Sequence, residues 1–301
     1  MSYTPTIKQL KYLVTLQGTL HFSRAAELCH VTQSTLSAGI QELESLLGVQ
    51  LVERSKRQVL FTPTGNAVAD RAADILNDMD DLTLLAKAAS NPMTGETRLG
   101  IIPTIAPYLL PTIMPVIRTA FPDMTFAMQE AKSADLCRMI KAGELDLVLY
   151  ALPYDCPDVE EMPIFEDPFM AVYAADCREP AGPVTLNSLK ENNILLLDEG
   201  HCLRDHALAA CHLTETTSSS FSGTSLATIT HMVASGYGMT LLPEMAVKSG
   251  LADQAGLQVR PFKDPVPSRT IGLIWRKSNP RADVFRKLGT VIREHCDPSA
   301  C

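Results

Sequence analysis

Apolar residues recur at helical spacing from the first turn of the chain: Ile7, Leu10, Leu13 and Val14 predict an opening helix. A short helix follows from Ser23, with Ala25 and Ala26 small enough for close packing, and it breaks at Cys29-His30-Val31. Thr32 is a suitable N-cap for a third helix to about Leu47, where Leu36, Ile40, Leu43 and Leu47 form one stripe and Gly48 supplies the stop. Two short helices joined by a tight break, the second amphipathic, describe a helix-turn-helix. Leu51 to Thr62 then alternates as a hairpin does. Thr62-Pro63 opens a long helix, in which Val68, Ala72, Ile75, Met79, Leu82 and Ala86 recur at intervals of four and three residues. That seam predicts pairing with a second helix.

Asn91-Pro92-Met93-Thr94-Gly95-Glu96 is turn-rich and reads as a hinge. Beyond it the pattern alternates between strand and helix: a strand at Arg98–Ile102, a helix around Pro107–Ala120, a strand at Met124–Gln129, a helix at Ser133–Ala142 and a strand at Leu145–Tyr150. A second set includes Phe169–Ala174, Ile194–Leu197, a helix after Thr224-Ser225, and Met239–Leu242. The strand Thr270–Trp275 and a last helix near Arg281–His295 are expected to return to the first set. The fold class is therefore α/β, with a small helical head, a long linker helix and a body of two α/β subdomains. The expected boundaries are 1–62 for the head, 63–90 for the linker and 91–301 for the body. Within the body, subdomain I covers about 97–166 plus 269–301, and subdomain II about 167–268.

A chain of 301 residues has room for two or three domains. Its net charge of −8 argues against indiscriminate coating of nucleic acid. The charge is uneven: residues 1–62 carry about +2 and the remainder about −10, which suits a DNA-facing head on an acidic body. No apolar run reaches membrane-spanning length and Met1 to Leu20 lacks a signal-peptide pattern, so no membrane partner and a cytoplasmic location are expected. Cysteines there are expected to be thiols. Cys29, Cys137, Cys156, Cys177, Cys296 and Cys301 are scattered, lack metal-ligand spacing, and read as small hydrophobes or, for Cys301, a tail thiol.

Gln33, Ser34, Thr35, Ser37 and Gln41 lie on the polar N-terminal face of the third helix, where such side chains reach base edges and phosphates. Arg54, Lys56 and Arg57 fall at the hairpin tip, placed to grip phosphate. The run Phe22-Ser23-Arg24-Ala25-Ala26-Glu27-Leu28, then Gln33-Ser34-Thr35-Leu36-Ser37, Ile40, Leu43-Glu44, Leu47-Gly48 and Thr62-Pro63-Thr64-Gly65 resembles the N-terminal signature of LysR-type transcriptional regulators. The resemblance implies a winged helix-turn-helix bound to promoter DNA. It also implies a homodimer through the linker helix, a homotetramer of two dimers, and a periplasmic-binding-protein-like regulatory domain.

Cys202 and Cys211 stand nine positions apart at what reads as the start of a helix. Nine helical steps separate Cα atoms by roughly 13–14 Å and place the side chains on opposite faces. A disulfide tolerates at most about 7 Å between Cα atoms. Joining the pair therefore requires the helix to unwind. Three readings compete. Both can be buried thiols; His201, Cys202, His206, Cys211 and His212 can hold a metal; or the pair can react with peroxide. The metal reading lacks a C-x-x-C or H-x-x-x-H frame. A helix N-terminus with His201 and Arg204 nearby favours thiolate at Cys202.

Ligands of open α/β sheets sit beyond strand carboxyl ends, where Thr104 and His201-Cys202 both fall. Gly200-His201-Cys202-Leu203-Arg204-Asp205 with Cys211 resembles the peroxide-sensing members of the LysR-type family. Ile102-Pro103-Thr104, Pro107-Tyr108-Leu109-Leu110-Pro111, Thr224-Ser225-Leu226, Thr240-Leu241-Leu242-Pro243 and Arg269-Thr270-Ile271-Gly272-Leu273 resemble them too. The resemblance implies a peroxidatic Cys202 and a resolving Cys211, with Thr104, His201, Asp205 and Arg269 at the peroxide pocket and Arg204 stabilising thiolate. It implies hydrogen peroxide and cellular dithiol reductants as partners, no cofactor, no metal and no enzymatic role. A regulator answering to a small organic effector in the inter-subdomain cleft, and a thiol peroxidase, are the alternatives.

Overall fold

The computed structural model describes residues 4–54, 59–88, 93–177, 182–211 and 218–296. The chain divides into two compact units, Met1–Lys87 and Ala88–Cys301.

In the first unit, α1 (Ile7–Thr19), α2 (Phe22–Leu28) and α3 (Gln33–Leu47) precede a hairpin of β1 (Val52–Arg54) and β2 (Val59–Phe61), and then α4 (Pro63–Ala88). The caps sit where the residue types place them. Thr32 accepts from the Thr35 amide at the start of α3, and Gly48 ends that helix in the left-handed region at φ 69°. The Thr62 hydroxyl accepts from the Gly65 amide at 2.9 Å and opens α4. Leu13, Leu16, Ala25, Leu36, Ile40, Leu43, Leu51 and Ala69 form one buried cluster. The hairpin is antiparallel, with Val52 opposite Phe61. Lys56 and Arg57 lie outside the described residues, as does the side chain of Arg54. Along the predicted seam of α4, Ala72 is buried, whereas Ile75, Met79 and Leu82 are exposed on the single chain. The Ala86 side chain lies outside the described residues.

Gly65 sits against the hairpin so closely that a Cβ there would lie 2.0 Å from the Leu51 carbonyl oxygen. That contact is with backbone, so side-chain repacking cannot relieve it. Gly65→Ala is expected to lower the stability of the first unit by about 2–3 kcal/mol, read by denaturant unfolding. An unchanged midpoint would contradict this packing.

In the second unit, β3 (Gly95–Ile101), α5 (Ala106–Ala120), β4 (Met124–Glu130), α6 (Ser133–Lys141), β5 (Leu147–Leu152) and the long β6 (Val159–Tyr173) come first. They are followed by a 3-10 turn (Leu186–Glu191), β7 (Ile194–Leu197), α7 (Cys202–Ala210), β8 (Ser218–Gly223), α8 (Leu226–Ala234) and β9 (Met239–Pro243). Then come α9 (Glu244–Lys248), α10 (Leu251–Gln254), β10 (Gln258–Arg260), β11 (Ser268–Arg276) and α11 (Ala282–Cys296). The described strands form one sheet in the order β4-β3-β5-β11-β6-β9-β7-β8, with β10 also on β6. Strands β3, β4 and β5 run parallel, as do β7, β8 and β9, whereas β11 is antiparallel to both its neighbours.

Two apolar clusters flank this sheet. One gathers residues of β3, α5, β5, β11 and α11, and the other those of β7, α8 and β9. They are joined by β6, whose first part pairs with β11 and whose end pairs with β9 and β10. The sequence predicts a strand only at the far end of β6. The first part, Val159 to Pro168, carries four carboxylates and two prolines, which argue against a strand. Its register shift between Ile271 and Gly272 leaves Pro163 at the irregularity, where a missing N–H breaks no ladder.

The cysteine expectation needs one correction. Cys137 and Cys156 are bonded, with Cα atoms 5.7 Å apart. They are 19 residues apart in sequence, and α6 turning back onto β5 brings them together. Cys29, Cys177, Cys202, Cys211 and Cys296 are free thiols, and Cys301 lies outside the described residues. No described helix is long and apolar enough to cross a membrane.

Candidate functional site

Three strands deliver their carboxyl ends to one region, β3 and β4 from one parallel set and β7 from the other. Thr104 follows β3, Ser133 follows β4 at the first turn of α6, and His201-Cys202 follow β7 at the first turn of α7. Gly200, in the left-handed region at φ 87°, turns the chain from β7 toward α7. Lys132 fastens that turn by donating to the Glu199 carbonyl at 3.2 Å.

Cys202 is 3% exposed and belongs to the first apolar cluster. Burial raises its thiol pKa; a Ser133 side-chain hydrogen bond and the Arg269 charge oppose this, and Asp205 adds to the rise. Ser133 in turn accepts, through its carbonyl, the Tyr150 hydroxyl at 2.8 Å. Two helix N-termini thus meet at the sulfur.

Arg269 is buried, with 2% exposure, and its donors are spoken for on two sides. Its Nε donates to Asp167 at 3.0 Å, Nη1 to the Thr104 hydroxyl at 2.9 Å and Nη2 to the Thr104 carbonyl at 3.0 Å. Asp167 also accepts from the Met245 amide at 3.1 Å. Burial raises the Asp167 pKa, and Arg269 and the Met245 amide pull it back.

His201 caps α7 through its backbone and is 5% exposed. Burial and then Lys132 lower its pKa, so the ring is neutral, and its buried Nε2 has no hydrogen-bond partner among the described residues. One turn along the helix, His206 Nε2 lies 2.9 Å from the Pro153 carbonyl. A carbonyl only accepts, so Nε2 carries the proton. Nδ1 then holds a buried lone pair with no partner among the described residues. Burial lowers the His206 pKa as well.

The structure therefore ties Thr104 to Arg269 through two hydrogen bonds and puts the Arg269 charge on the Cys202 thiol, with His201 the residue before it in the chain. Asp205 is exposed, and its charge works against thiolate. Arg204 donates to the Leu197 carbonyl at 3.4 Å, and the cation acting on the thiol is Arg269 instead. Cys211, fully buried at the C-cap of α7, belongs to the second apolar cluster, and burial pushes its pKa up to about 12. Ser133, Asp167 and Tyr150 were missed by the sequence reading, and His206 entered it only as a possible metal ligand. Only Ser133 carried a signal, because the strand-end rule applies to β4 as it does to β3. Among the described residues no group of three or more His, Cys, Asp or Glu is placed to hold a metal; His212 lies outside them.

These shifts set a pH window for the stability of the second unit. His201 and His206 have folded pKa values below the ordinary 6.5, so the unfolded chain binds more protons and stability falls as pH drops below about 6.5. Cys202, Cys211 and Cys296 lie above the ordinary 9.0, so stability falls as pH rises past about 9. Unfolding free energy is expected to plateau between these limits. Histidine ring-proton titration by NMR checks the acid limb, and a midpoint above 6.5 for either residue would contradict it.

In the first unit, Gln33, Ser34, Thr35 and Gln41 are exposed on α3 and Ser37 is half-buried. Ser23 donates to the Gln33 amide oxygen at 2.8 Å, which fixes the orientation of that side chain. Ser34 and Thr35 lie 2.9 and 2.8 Å from the Thr32 hydroxyl, at the positive end of the helix. In the second unit a cavity of about 830 Å³ is lined by residues that include Tyr108, Phe165, Asp167, Met245, Lys248 and Arg293.

Residues 7–66 match the family described as bacterial regulatory helix-turn-helix protein, lysR family, and residues 90–297 match the LysR substrate binding domain. The chain is 41% identical over 295 residues to the HTH-type transcriptional regulator EstR of Acinetobacter baylyi, covering 97% of this chain and 98% of that protein. It is 37% identical over 292 residues to the hydrogen peroxide-inducible genes activator of Dickeya chrysanthemi, covering 96% and 95%. The solved structure of a cysteine-to-aspartate variant of full-length OxyR from Pseudomonas aeruginosa superposes with a TM-score of 0.77 at 38% identity, covering 97% of this chain and 95% of that one.

Proposed function

The chain belongs to the LysR family of bacterial regulatory helix-turn-helix proteins, and from that premise we propose that it is a DNA-binding transcriptional regulator that senses hydrogen peroxide through Cys202. The observation that carries this reading is the setting of Cys202: a buried thiol at a helix N-terminus, bonded by Ser133, in the field of Arg269, beside a neutral histidine. Burial keeps the resting thiol protonated. On arrival of peroxide, the neutral imidazole of His201 takes the thiol proton, and the thiolate sulfur attacks one peroxide oxygen. The O–O bond breaks, the leaving oxygen departs as water after protonation, and Cys202 becomes a sulfenic acid. The Cys211 thiol then displaces the sulfenic oxygen as a second water, forming the Cys202–Cys211 disulfide.

That bond cannot form on the wound helix. Cys202 and Cys211 stand at opposite ends of α7 and belong to different apolar clusters, so both must leave their cores. The covalent bond supplies the bias between two arrangements of residues 202–211. A cellular dithiol reverses it. Output passes to the winged helix-turn-helix of residues 1–62, where Gln33, Ser34, Thr35, Ser37, Gln41, Arg54, Lys56 and Arg57 would contact promoter DNA. Pairing through α4 of the 63–90 linker, whose Ile75, Met79 and Leu82 are exposed on one chain, would give the dimer that two half-sites need. Two dimers would make the tetramer, located in the cytoplasm.

The deciding measurement is disulfide mapping by mass spectrometry after mild peroxide treatment, with DNA footprinting of the same samples. A 202–211 crosslink accompanied by an altered footprint is expected. No such crosslink, or an unchanged footprint despite one, sinks the mechanism.

A second reading is favoured by the 830 Å³ cavity, because Asp167 and Met245 line it and also contact Arg269. A small organic effector bound there would act on the same network. In that case Cys202→Ser would leave the response to the inducer intact.

A further inference from the structure

Cys202 is not the only cysteine at this site. Cys137 lies on α6 one turn beyond Ser133, the residue whose side chain bonds Cys202. Its disulfide partner Cys156 lies three residues beyond Pro153, whose carbonyl accepts from His206 on α7. Between them Tyr154 packs edge-on against Tyr150 with ring centroids 4.8 Å apart, and Tyr150 donates to the Ser133 carbonyl. The contacts close a ring. It runs from Cys202 to Ser133, along α6 to Cys137, across the disulfide to Cys156, back to Pro153, and through His206 to α7. Cys156 shares an apolar cluster with Cys202, whereas Cys137 is half-buried and the more exposed residue of the pair.

We propose that Cys137–Cys156 is a second thiol–disulfide exchange site, through which a dithiol sets how readily α7 unwinds and hence how fast Cys202 is joined to Cys211. A thiolate of the dithiol attacks the Cys137 sulfur and expels Cys156 as thiolate, which takes up a proton. The second thiol of the reductant then attacks the mixed disulfide, releasing Cys137 as a thiol. Two electrons and two protons pass to the pair, and the dithiol leaves as its disulfide. Opening this link frees α6 from the 153–156 segment. The groups that hold both ends of the first turn of α7 are then tied only through Tyr150, by its bond to Ser133 and its contact with Tyr154. The covalent state of one pair thus biases the conformational equilibrium that the other pair needs, and the coupling is reciprocal.

The inference rests on Cys202 being the peroxide-reactive thiol, and two arms separate its failure from the failure of that reading. In the first, the full chain carrying Cys211→Ser, which cannot form the 202–211 bond, is poised in dithiothreitol buffers with the 137–156 bond intact or open. Each state is verified by differential alkylation. Hydrogen exchange of the Cys202–Ala210 amides is expected to be about three- to tenfold faster with the bond open. Equal exchange, or no 137–156 bond at any poise, overturns the proposal. In the second arm, Cys137→Ser/Cys156→Ser, or the alanine pair if serine misfolds, is compared with the parent chain for the rate of 202–211 bond formation under peroxide. A rise of about three- to tenfold is expected, and equal rates overturn the coupling. If Cys202 reacts in neither protein, the peroxide reading itself falls, and the first arm alone decides whether the second pair controls α7.

Discussion

Replacing Cys202 with serine is expected to abolish the response to peroxide while leaving the chain folded and bound to DNA in one fixed arrangement. The substitution changes one atom at a site that is 3% exposed, so little volume is lost. The hydroxyl keeps a hydrogen-bond partner in Ser133, which limits the cost of burying a polar group to about 1 kcal/mol. An alcohol cannot be oxidised by peroxide to a sulfenic acid, so no step of the chemistry survives. Cys211→Ser separates the two steps. Cys202 should still be oxidised, but the reaction should stop at sulfenic acid, which a dione probe traps. Mass spectrometry of both variants after peroxide treatment, with footprinting, checks the pair of outcomes. A peroxide-dependent footprint in the Cys202→Ser protein would remove Cys202 from the mechanism.

Arg269→Met is expected to be the most damaging single change to stability in the second unit. The guanidinium is paired with Asp167 at 3.0 Å, and the two side chains are 0% and 2% exposed. Removing it strands a buried carboxylate and leaves the Thr104 hydroxyl and carbonyl without their donors. Breaking one side of such a pair costs about 3–5 kcal/mol. Replacing both partners is a different matter: Arg269→Met/Asp167→Leu removes both buried charges and should recover more than half of that loss. Denaturant unfolding of the full chain reads both. A single variant within about 1 kcal/mol of the parent would show the pair to be marginal. The same loss should also slow oxidation of Cys202, because Arg269 is the cation acting on its thiol.

The head was legible because its signals are local. Thr32, Gly48 and Thr62 fix helix ends through bonds to residues three or four positions away, and the stripe of Leu36, Ile40 and Leu43 needs only its own helix. The body was legible where strands alternate with helices. It was misread at Val159 to Pro168, where prolines and carboxylates argue against a strand that a distant partner, β11, nevertheless recruits. At the site, the strand-end rule found Thr104, His201 and Cys202. It was not extended to β4, and so Ser133 was passed over. Asp167 lies 102 residues from Arg269 in sequence, and no local pattern announces such a pairing. The expectation that Arg204 would serve the thiol followed its nearness in the chain. Its side chain turns to the Leu197 carbonyl, and Arg269 supplies the charge. Cys137 and Cys156 carried no spacing signal, because the packing of α6 on β5, not the sequence interval, sets their distance.

The long strand β6 has a mechanical consequence. Where it passes from one apolar cluster to the other, the Phe169 amide donates to the Pro267 carbonyl at 2.8 Å, so the chain leading back into β11 crosses at the same place and is bonded to it. A doubled, cross-linked span of extended backbone resists bending far more than a single linker does. The two halves of this unit are therefore braced and do not clap together like lobes on a free hinge. Scattering profiles of the isolated unit with and without the 202–211 bond should share nearly the same radius of gyration. On the proposed mechanism, the signal leaving this unit would be a change of relief on its surface, made where α7 unwinds.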